Sequence, residues 1–434
     1  MARWLDARAA DFAGGFDALL SVKRETDDDV SSIVRAIIAD VRARGDAALI
    51  DYSERFDKVR LTSKTLRLSP QDISAAEAQC GREALVALDV AARRIEDYHR
   101  RQMPADELYI DEIGTRLGWR WTALDSVGLY VPGGTASYPS SVLMNAIPAK
   151  VAGVKRLVMV TPASGGVINP LSVEAARRAG VTEIYRIGGA QAIAALAFGT
   201  ETIAPVDKIV GPGNAYVAAA KREVFGTVGI DSVAGPSEIL VIADGANDPE
   251  WIAADLLSQA EHDTSAQGIL ITDDAAFAKK VEEAVARALT LLPRKEIAGA
   301  SWRDYGAIII VAKLDDAAAL SDRIAPEHLE IATADPEALL KCVRHAGAIF
   351  LGRYTPEAMG DYIAGPNHVL PTARTARFSS GLSTLDFLKR STLLACSPDV
   401  IAKLGPDVIA LAEAEGLDAH ARSVAARLNL PRGR

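Results

Sequence analysis

Gln259 and His262 are two side chains that could hold one metal ion. Upstream, Pro249 and Glu250 suit the first turn of a helix, and apolar residues at 252, 256 and 257 continue with helical spacing. The pattern predicts a helix over 252–262. Residues three apart lie on one helix face with Cβ atoms about 5–6 Å apart, so both side chains could reach one ion. Taken alone, such a pair is more often a solvated helix end, and the metal interpretation needs further ligands.

Glu327 and His328 are adjacent groups that could carry out acid/base chemistry. Pro326 predicts the end of the preceding helix, which would leave both residues on a loop. A carboxylate beside an imidazole could act in two different phases of one reaction. An exposed polar pair without a role is the alternative.

Three further histidines differ in what their surroundings predict. His368 closes the segment that begins with Gly360 and Asp361, and His420 follows Glu415 at a predicted helix start. His99 precedes two arginines, so a surface position is expected for it.

Composition excludes several classes of protein. The chain has 434 residues, of which 49% are hydrophobic and 24% charged, which is typical of a water-soluble protein with two or more domains. A net charge of −9 argues against nucleic acid as a partner. Three widely spaced cysteines offer no disulfide framework, and no apolar run is long enough for export or membrane insertion. We therefore expect a cytoplasmic protein.

The middle of the chain alternates between predicted strands, among them 156–160 and 208–210, and predicted helices, among them 170–179 and 215–224. This order is typical of parallel sheets covered by helices on both faces. Two strands end in glycine turns, at 188–191 and 211–214, and each turn opens a helix. Such turns let a backbone approach a phosphate at a helix N-terminus, although neither matches the GxGxxG fingerprint. A dinucleotide site and simple turn chemistry both remain open from the spacing alone.

A second βα series follows residue 238, so we expect an α/β fold with two Rossmann-like parallel-sheet domains and small helical N- and C-terminal appendages. A cleft between two such domains is the expected ligand site. The predicted division is an N-terminal helical arm (1–26), a discontinuous α/β domain (27–129 and 238–381), a second α/β domain (130–237) and a C-terminal helical tail (382–434).

Eight short segments, in order along essentially the whole chain, together closely resemble the histidinol dehydrogenases. They are Gly128-Leu-Tyr130-Val-Pro-Gly-Gly134, Tyr138-Pro-Ser-Ser141, Val210-Gly-Pro-Gly-Asn214, Ala234-Gly-Pro-Ser237-Glu238, Gln259-Ala-Glu-His262, Ala325-Pro-Glu327-His328, Gly365-Pro-Asn-His368 and Glu415-Gly-Leu-Asp-Ala-His420. The combination is far more specific than any single motif.

The resemblance implies a homodimer that oxidises L-histidinol to L-histidine through the aldehyde, with one Zn²⁺ per subunit and two NAD⁺ consumed. It implies zinc ligation by Gln259, His262, Asp361 and His420, with His420 supplied by the partner subunit. It implies Glu327 and His328 as the catalytic pair, and substrate contacts by Ser237, Gln259, His262, His328, Asp361, Glu415 and His420. It implies NAD contacts by Tyr130, Gln191 and Asn214. It therefore makes 27–129 with 238–381 the zinc and substrate domain, 130–237 the NAD-binding domain, and 382–434 a tail that reaches the partner subunit.

Two alternatives stand beside this interpretation. A member of the same family could oxidise another polar alcohol, such as a sulfonated diol. A zinc hydrolase with Glu327 as base would fit the ligand set but would leave the glycine turns unexplained.

Overall fold

The computed structural model describes residues 2–22, 30–133, 138–233 and 235–430. The predicted boundary between residues 26 and 27 lies outside the described residues, as do Gly134 and Ala234 of the motifs.

The described chain contains strands and helices in the following order. The strands are β1 (Arg3–Asp6), β2 (Glu107–Ile110), β3 (Arg116–Ala123), β4 (Ser126–Tyr130), β5 (Arg156–Val160), β6 (Glu183–Tyr185), β7 (Lys208–Val210), β8 (Gly229–Ile230), β9 (Glu238–Ala243), β10 (Gln267–Thr272), β11 (Ala307–Ile310), β12 (His328–Ala332), β13 (Ala348–Leu351) and β14 (Leu388–Ala395). The α-helices are α1 (Phe12–Ser21), α2 (Ser31–Arg44), α3 (Asp46–Tyr52), α4 (Pro70–Ala76), α5 (Arg82–Arg100), α6 (Pro139–Ala152), α7 (Pro170–Ala179), α8 (Gly189–Phe198), α9 (Ala215–Val224), α10 (Pro249–Ala260), α11 (Ala275–Leu289), α12 (Lys295–Tyr305), α13 (Asp315–Ile324), α14 (Pro336–Leu340), α15 (Glu357–Tyr362), α16 (Pro398–Ala414) and α17 (Asp418–Arg427).

Two compact units contain these elements. The first comprises residues 1–102 and 125–387, and the second comprises residues 103–124 and 388–434. The division into a zinc and substrate domain and an NAD-binding domain stays a prediction, because these two units are defined by their internal contacts and not by the ligands they bind.

The first unit contains a five-stranded parallel sheet in the order β6-β5-β4-β7-β8. Its central strands are almost wholly buried, as expected for a sheet covered on both faces. The predicted bounds of β5, β7, α7 and α9 are confirmed to the residue. Apolar periodicity and local cap residues were sufficient there: Asn169 and Gly180 bound α7, and Asn214 caps the start of α9.

A six-stranded parallel sheet in the same unit has the order β1-β11-β10-β9-β12-β13. β1 pairs with β11 at one edge, so the first residues belong to this sheet and not only to a helical arm. β12, which the sequence did not predict, lies between β9 and β13. The parallel α/β architecture predicted from the sequence is confirmed.

The second unit is built on a three-stranded antiparallel sheet in the order β14-β3-β2, followed by α16 and α17. The predicted helical tail (382–434) therefore also contains a strand, ahead of α16 and α17. β14 pairs along its whole length with β3, which supplies backbone partners that local sequence cannot reveal.

Within the described ranges, every helix is too short or too polar to cross a lipid bilayer.

Candidate active site

A cavity of about 290 Å³ brings together most of the residues that the sequence singled out. Its lining includes Asn214, Ser237, Gln259, His262, Glu327, His328, Asp361 and His368. The cavity lies where β7 ends and where β9 and β12 begin. It is therefore formed by the carboxyl edge of the five-stranded sheet and the amino edge of the six-stranded sheet.

Helix α10 places Gln259 in this cavity. Asp248 caps the helix by accepting a hydrogen bond from the backbone N–H of Glu250 at 2.9 Å, and Pro249 occupies the first turn. The helix ends at Ala260, two residues earlier than predicted, so His262 lies in the following turn, where its N–H donates to the carbonyl of Gln259 at 3.1 Å. Gln259 is 1% exposed, and neither polar atom of its side chain has a hydrogen-bond partner among the described residues.

The prediction of a loop is confirmed for Glu327, which lies between α13 and β12, but it was wrong for His328. His328 is the first residue of β12, and both side chains are buried. Ala325 caps α13 in a left-handed conformation (φ 47°), so the chain turns within three residues from the helix into the strand. A strand this short, flanked by a proline, has too few residues for its alternation to stand out.

The backbone of Glu238 holds both members of this pair. Its N–H donates to Oε2 of Glu327 at 3.0 Å, and its carbonyl lies 2.9 Å from Nδ1 of His328. A carbonyl only accepts hydrogen bonds, so Nδ1 of His328 carries the proton. Nε2, which has no hydrogen-bond partner among the described residues, is then the atom that can accept a proton.

Burial and nearby charge shift the pKa of both groups. Burial raises the pKa of Glu327 to about 7. Burial alone would lower the pKa of His328, but the negative charges of Glu327 and Asp361 outweigh it and raise the pKa to about 10. A carboxyl group whose neutral form is favoured therefore lies beside an imidazole whose protonated form is favoured.

Asp361 and Glu357 lie on α15 at the far side of His328. Oδ1 of Asp361 is 3.6 Å and Oε1 of Glu357 is 3.9 Å from Nε2 of His328. Burial acts to raise the pKa of Asp361, but the adjacent His328 lowers it well below the usual range. Burial and the charge of Asp361 raise the pKa of Glu357 to about 8. The three ligand-type atoms lie within 4.8 Å of one another.

The predicted metal ligands of the first unit suit a cation. Asp361 is in its ionised form at neutral pH, and desolvation of the His262 ring lowers the pKa of that histidine, so its neutral form prevails. These are the protonation states that metal binding requires. The unpartnered amide of Gln259 supplies an oxygen without the cost of breaking an existing hydrogen bond. The residues present therefore fit a zinc ion with oxygen and nitrogen ligands.

The predicted NAD contacts differ in accessibility. Asn214 lines the cavity and caps α9, where its Oδ1 accepts from the N–H groups of Tyr216 and Val217. Tyr130 and Gln191 are buried, and the hydroxyl of Tyr130 accepts from the N–H of Gly189 at 3.1 Å. Residues 211–214, the Gly211 turn, pass so close to β4 that a Cβ on Gly211 would lie 2.1 Å from the carbonyl oxygen of Tyr130.

Glu415 and His420 belong to the second unit, and both are exposed. Glu415 follows α16, and His420 lies in the first turn of α17. The described cavity is lined by residues of the first unit alone.

Three residues at or beside the site escaped the sequence analysis or were misjudged. Glu357 precedes Asp361 by four residues, a helical spacing that could have indicated it. Glu238 lies in a quoted motif, but the role of its backbone has no sequence signal. His99, expected on the surface, is fully buried, and its Nδ1 lies 2.8 Å from the carbonyl oxygen of Ile95. The apolar face of α5, which includes Leu88 and Ile95, predicts that burial better than the arginines that follow.

Comparisons with known proteins agree along nearly the full length. Residues 20–428 match the family model described as histidinol dehydrogenase. The chain is 67% identical to the histidinol dehydrogenase of Rhizobium meliloti, with 96% of each chain covered. It is 66% identical to that of Rhodospirillum rubrum, with 98% of each covered. The crystal structure of histidinol dehydrogenase from Elizabethkingia anophelis superposes with a TM-score of 0.94 at 38% identity, covering 99% of this chain and 98% of that one.

Proposed function

The chain belongs to the histidinol dehydrogenase family of oxidoreductases, and from this premise we propose that it oxidises L-histidinol to L-histidine by way of L-histidinaldehyde. The reaction removes four electrons and uses two NAD⁺. Membership in this family argues against the zinc hydrolase alternative.

The attachment of Glu327 and His328 to the backbone of Glu238 is the observation that carries this proposal. It supports a fixed imidazole, on a residue that lines the cavity, whose Nε2 lies 3.6 Å from the carboxylate of Asp361. A base that is held in one tautomer and one orientation needs little reorganisation during the reaction.

In the first oxidation, Nε2 of His328 accepts the proton of the substrate hydroxyl while hydride passes from the carbinol carbon to NAD⁺. The product of this step is the aldehyde. In the second, the carboxylate of Glu327 accepts a proton from a water molecule that adds to the aldehyde carbonyl. His328, having released its first proton to solvent, then accepts a hydroxyl proton of this hydrate while the second hydride passes to another NAD⁺. The balance is one histidinol, one water and two NAD⁺ giving histidine, two NADH and three protons.

We assign the zinc ion to Gln259, His262 and Asp361 of one chain and to His420 of the partner subunit. When bound, the ion orients the substrate and adds a positive charge that favours neutral His328. Glu357 lies close enough to Asp361 and His328 to hold their relative orientation.

Substrate contacts are assigned to Ser237 together with the zinc ligands and His328 of one chain, and to Glu415 and His420 of the other. A homodimer with exchanged tails is supported by the apolar surface of the second unit. Ile110, Leu394 and Leu411 are each about two thirds exposed in the single chain, and contact with a partner subunit would bury apolar surface of this kind.

We assign NAD binding to the Gly211 turn, where Asn214 lines the cavity. Tyr130 and Gln191 are assigned further NAD contacts at the neighbouring glycine turn, residues 188–191, where the hydroxyl of Tyr130 accepts from the N–H of Gly189.

The three cysteines are free, which fits the reducing cytoplasm proposed as the location.

The stoichiometry of NADH tests the proposal. Purified protein loaded with zinc is given limiting L-histidinol and excess NAD⁺, and NADH is measured by absorbance. Two NADH per histidinol support the four-electron reaction, whereas one NADH per histidinol would mean that the reaction stops at the aldehyde. Activity with a sulfonated diol but not with histidinol would transfer the assignment to the alternative alcohol.

A further inference from the structure

We propose that Lys221 and Asp231 are positioning residues that hold the Gly211 turn in the geometry that NAD binding needs. The inference rests on the proposed use of NAD at this turn, and it assigns the turn a pair of charged residues that do not themselves contact the cofactor.

Lys221 and Asp231 bind both backbone polar groups of Gly211. Oδ2 of Asp231 accepts from the N–H of Gly211 at 2.8 Å, and Nζ of Lys221 donates to the carbonyl of Gly211 at 3.0 Å. Lys221 also pairs directly with Oδ1 of Asp231. Their side chains are 3% and 4% exposed. Gly211 is thus fixed by a closed ring of contacts that water hardly reaches.

The pair connects three elements at the carboxyl edge of the five-stranded sheet. Gly211 follows β7, Lys221 lies near the end of α9, and Asp231 follows β8. On its other side, the Gly211 turn packs against β4, where the carbonyl of Tyr130 leaves no room for a Cβ. The turn therefore cannot shift toward β4, and it cannot leave the pair without losing two hydrogen bonds.

Packing alone would not require charged side chains here. Burying an ion pair costs desolvation energy, and well-packed apolar side chains often stabilise a fold equally well. Apolar side chains, however, cannot hold the N–H and the carbonyl of Gly211. Both residues also line the cavity. Both oxygens of Asp231 already accept contacts from within the protein and its side chain is 4% exposed, so we assign this carboxylate an indirect role.

Lys221→Met and Asp231→Asn test the inference through NADH binding, measured by fluorescence titration of the zinc-loaded enzyme without histidinol. A misplaced turn should weaken NADH binding roughly ten- to a hundredfold. The KM for NAD⁺ should rise more than kcat falls. Zinc content and the KM for histidinol should stay native, because Gln259, His262 and Asp361 lie on other elements.

Arg156→Met is the matched control. Arg156 pairs with Glu183 at 2.7 Å and also binds the backbone carbonyls of Ala204 and Pro205, but it lies at the amino edge of the same sheet. This variant should lose thermal stability and keep native NADH affinity. An equal loss of NADH affinity in the control would overturn the inference, because general loosening of the sheet would explain both.

The double variant Lys221→Met/Asp231→Leu provides the second comparison and replaces the single variants if they do not fold. Recovery of the native unfolding temperature with NADH binding still weakened supports positioning by the charged pair. Native NADH affinity in this variant, or in both single variants, overturns it. If the unmodified enzyme binds no NADH, the proposed function itself fails. If the unmodified and variant enzymes bind NADH equally well, only the inference about Lys221 and Asp231 fails.

Discussion

Gln259→Leu should stabilise the zinc-free protein and weaken zinc binding. Gln259 is buried with both side-chain polar atoms unpartnered among the described residues. Each unpartnered buried polar atom costs about 1–3 kcal/mol, so replacing both with methyl groups, less some lost packing, should stabilise the chain by about 1–3 kcal/mol. For a cooperative unit of several hundred residues, this corresponds to an unfolding temperature raised by about 1–4 °C.

Zinc should reduce or reverse that advantage. At a zinc concentration a thousandfold above the native Kd, the unmodified protein gains about 4.1 kcal/mol. If loss of the amide oxygen weakens binding about a hundredfold, the variant gains only about 1.4 kcal/mol under the same conditions. The zinc-induced stabilisation should therefore differ by about 2.7 kcal/mol between the two proteins.

Thermal unfolding of chelator-treated and zinc-loaded samples measures both effects, and Gln267→Leu is the matched control. Gln267 is also buried, but its Nε2 donates to the carbonyl of Tyr305 at 3.1 Å. The same substitution there should destabilise the zinc-free protein by about 1 kcal/mol. A zinc-free Gln259→Leu protein less stable than the unmodified one would refute the reasoning, because the amide would then have a partner without the metal.

Three further outcomes are expected. Chelation should abolish turnover while circular dichroism keeps its helical signal, since the ligands lie on elements with their own apolar packing; global loss of helix would make the metal structural. Glu327→Gln should slow oxidation of added histidinaldehyde about a hundredfold or more and should slow the oxidation of histidinol less. His328→Asn should slow both oxidations. Equal losses for Glu327→Gln in the two half-reactions would contradict the assigned roles. Mixing His328→Ala with His420→Ala subunits under exchange should restore about a quarter of the sites, because random pairing puts half of the dimers in mixed form and both lesions then fall in one of their two sites. A mixture with verified exchange that stays inactive would exclude the exchanged tail.

Glycine turns, proline starts and apolar periodicity were enough to predict most elements of the two parallel sheets. The bounds of α7 (Pro170–Ala179) and α9 (Ala215–Val224) follow from signals within each segment. The motifs also contained most of the predicted site residues that line the cavity. Neighbouring residues encode these features, so an isolated stretch of chain already carries them.

The meeting of Glu238, His328 and Asp361 was decided only by the tertiary structure. β9 and β12 are neighbours in the six-stranded sheet although about ninety residues separate them, and this order alone places the backbone of Glu238 against the side chain of His328. The same holds for the Lys221–Asp231 pair on either side of Gly211, which depends on β8 lying beside β7. Strand order is fixed by which buried faces pack together over the whole unit, and no local pattern records that choice.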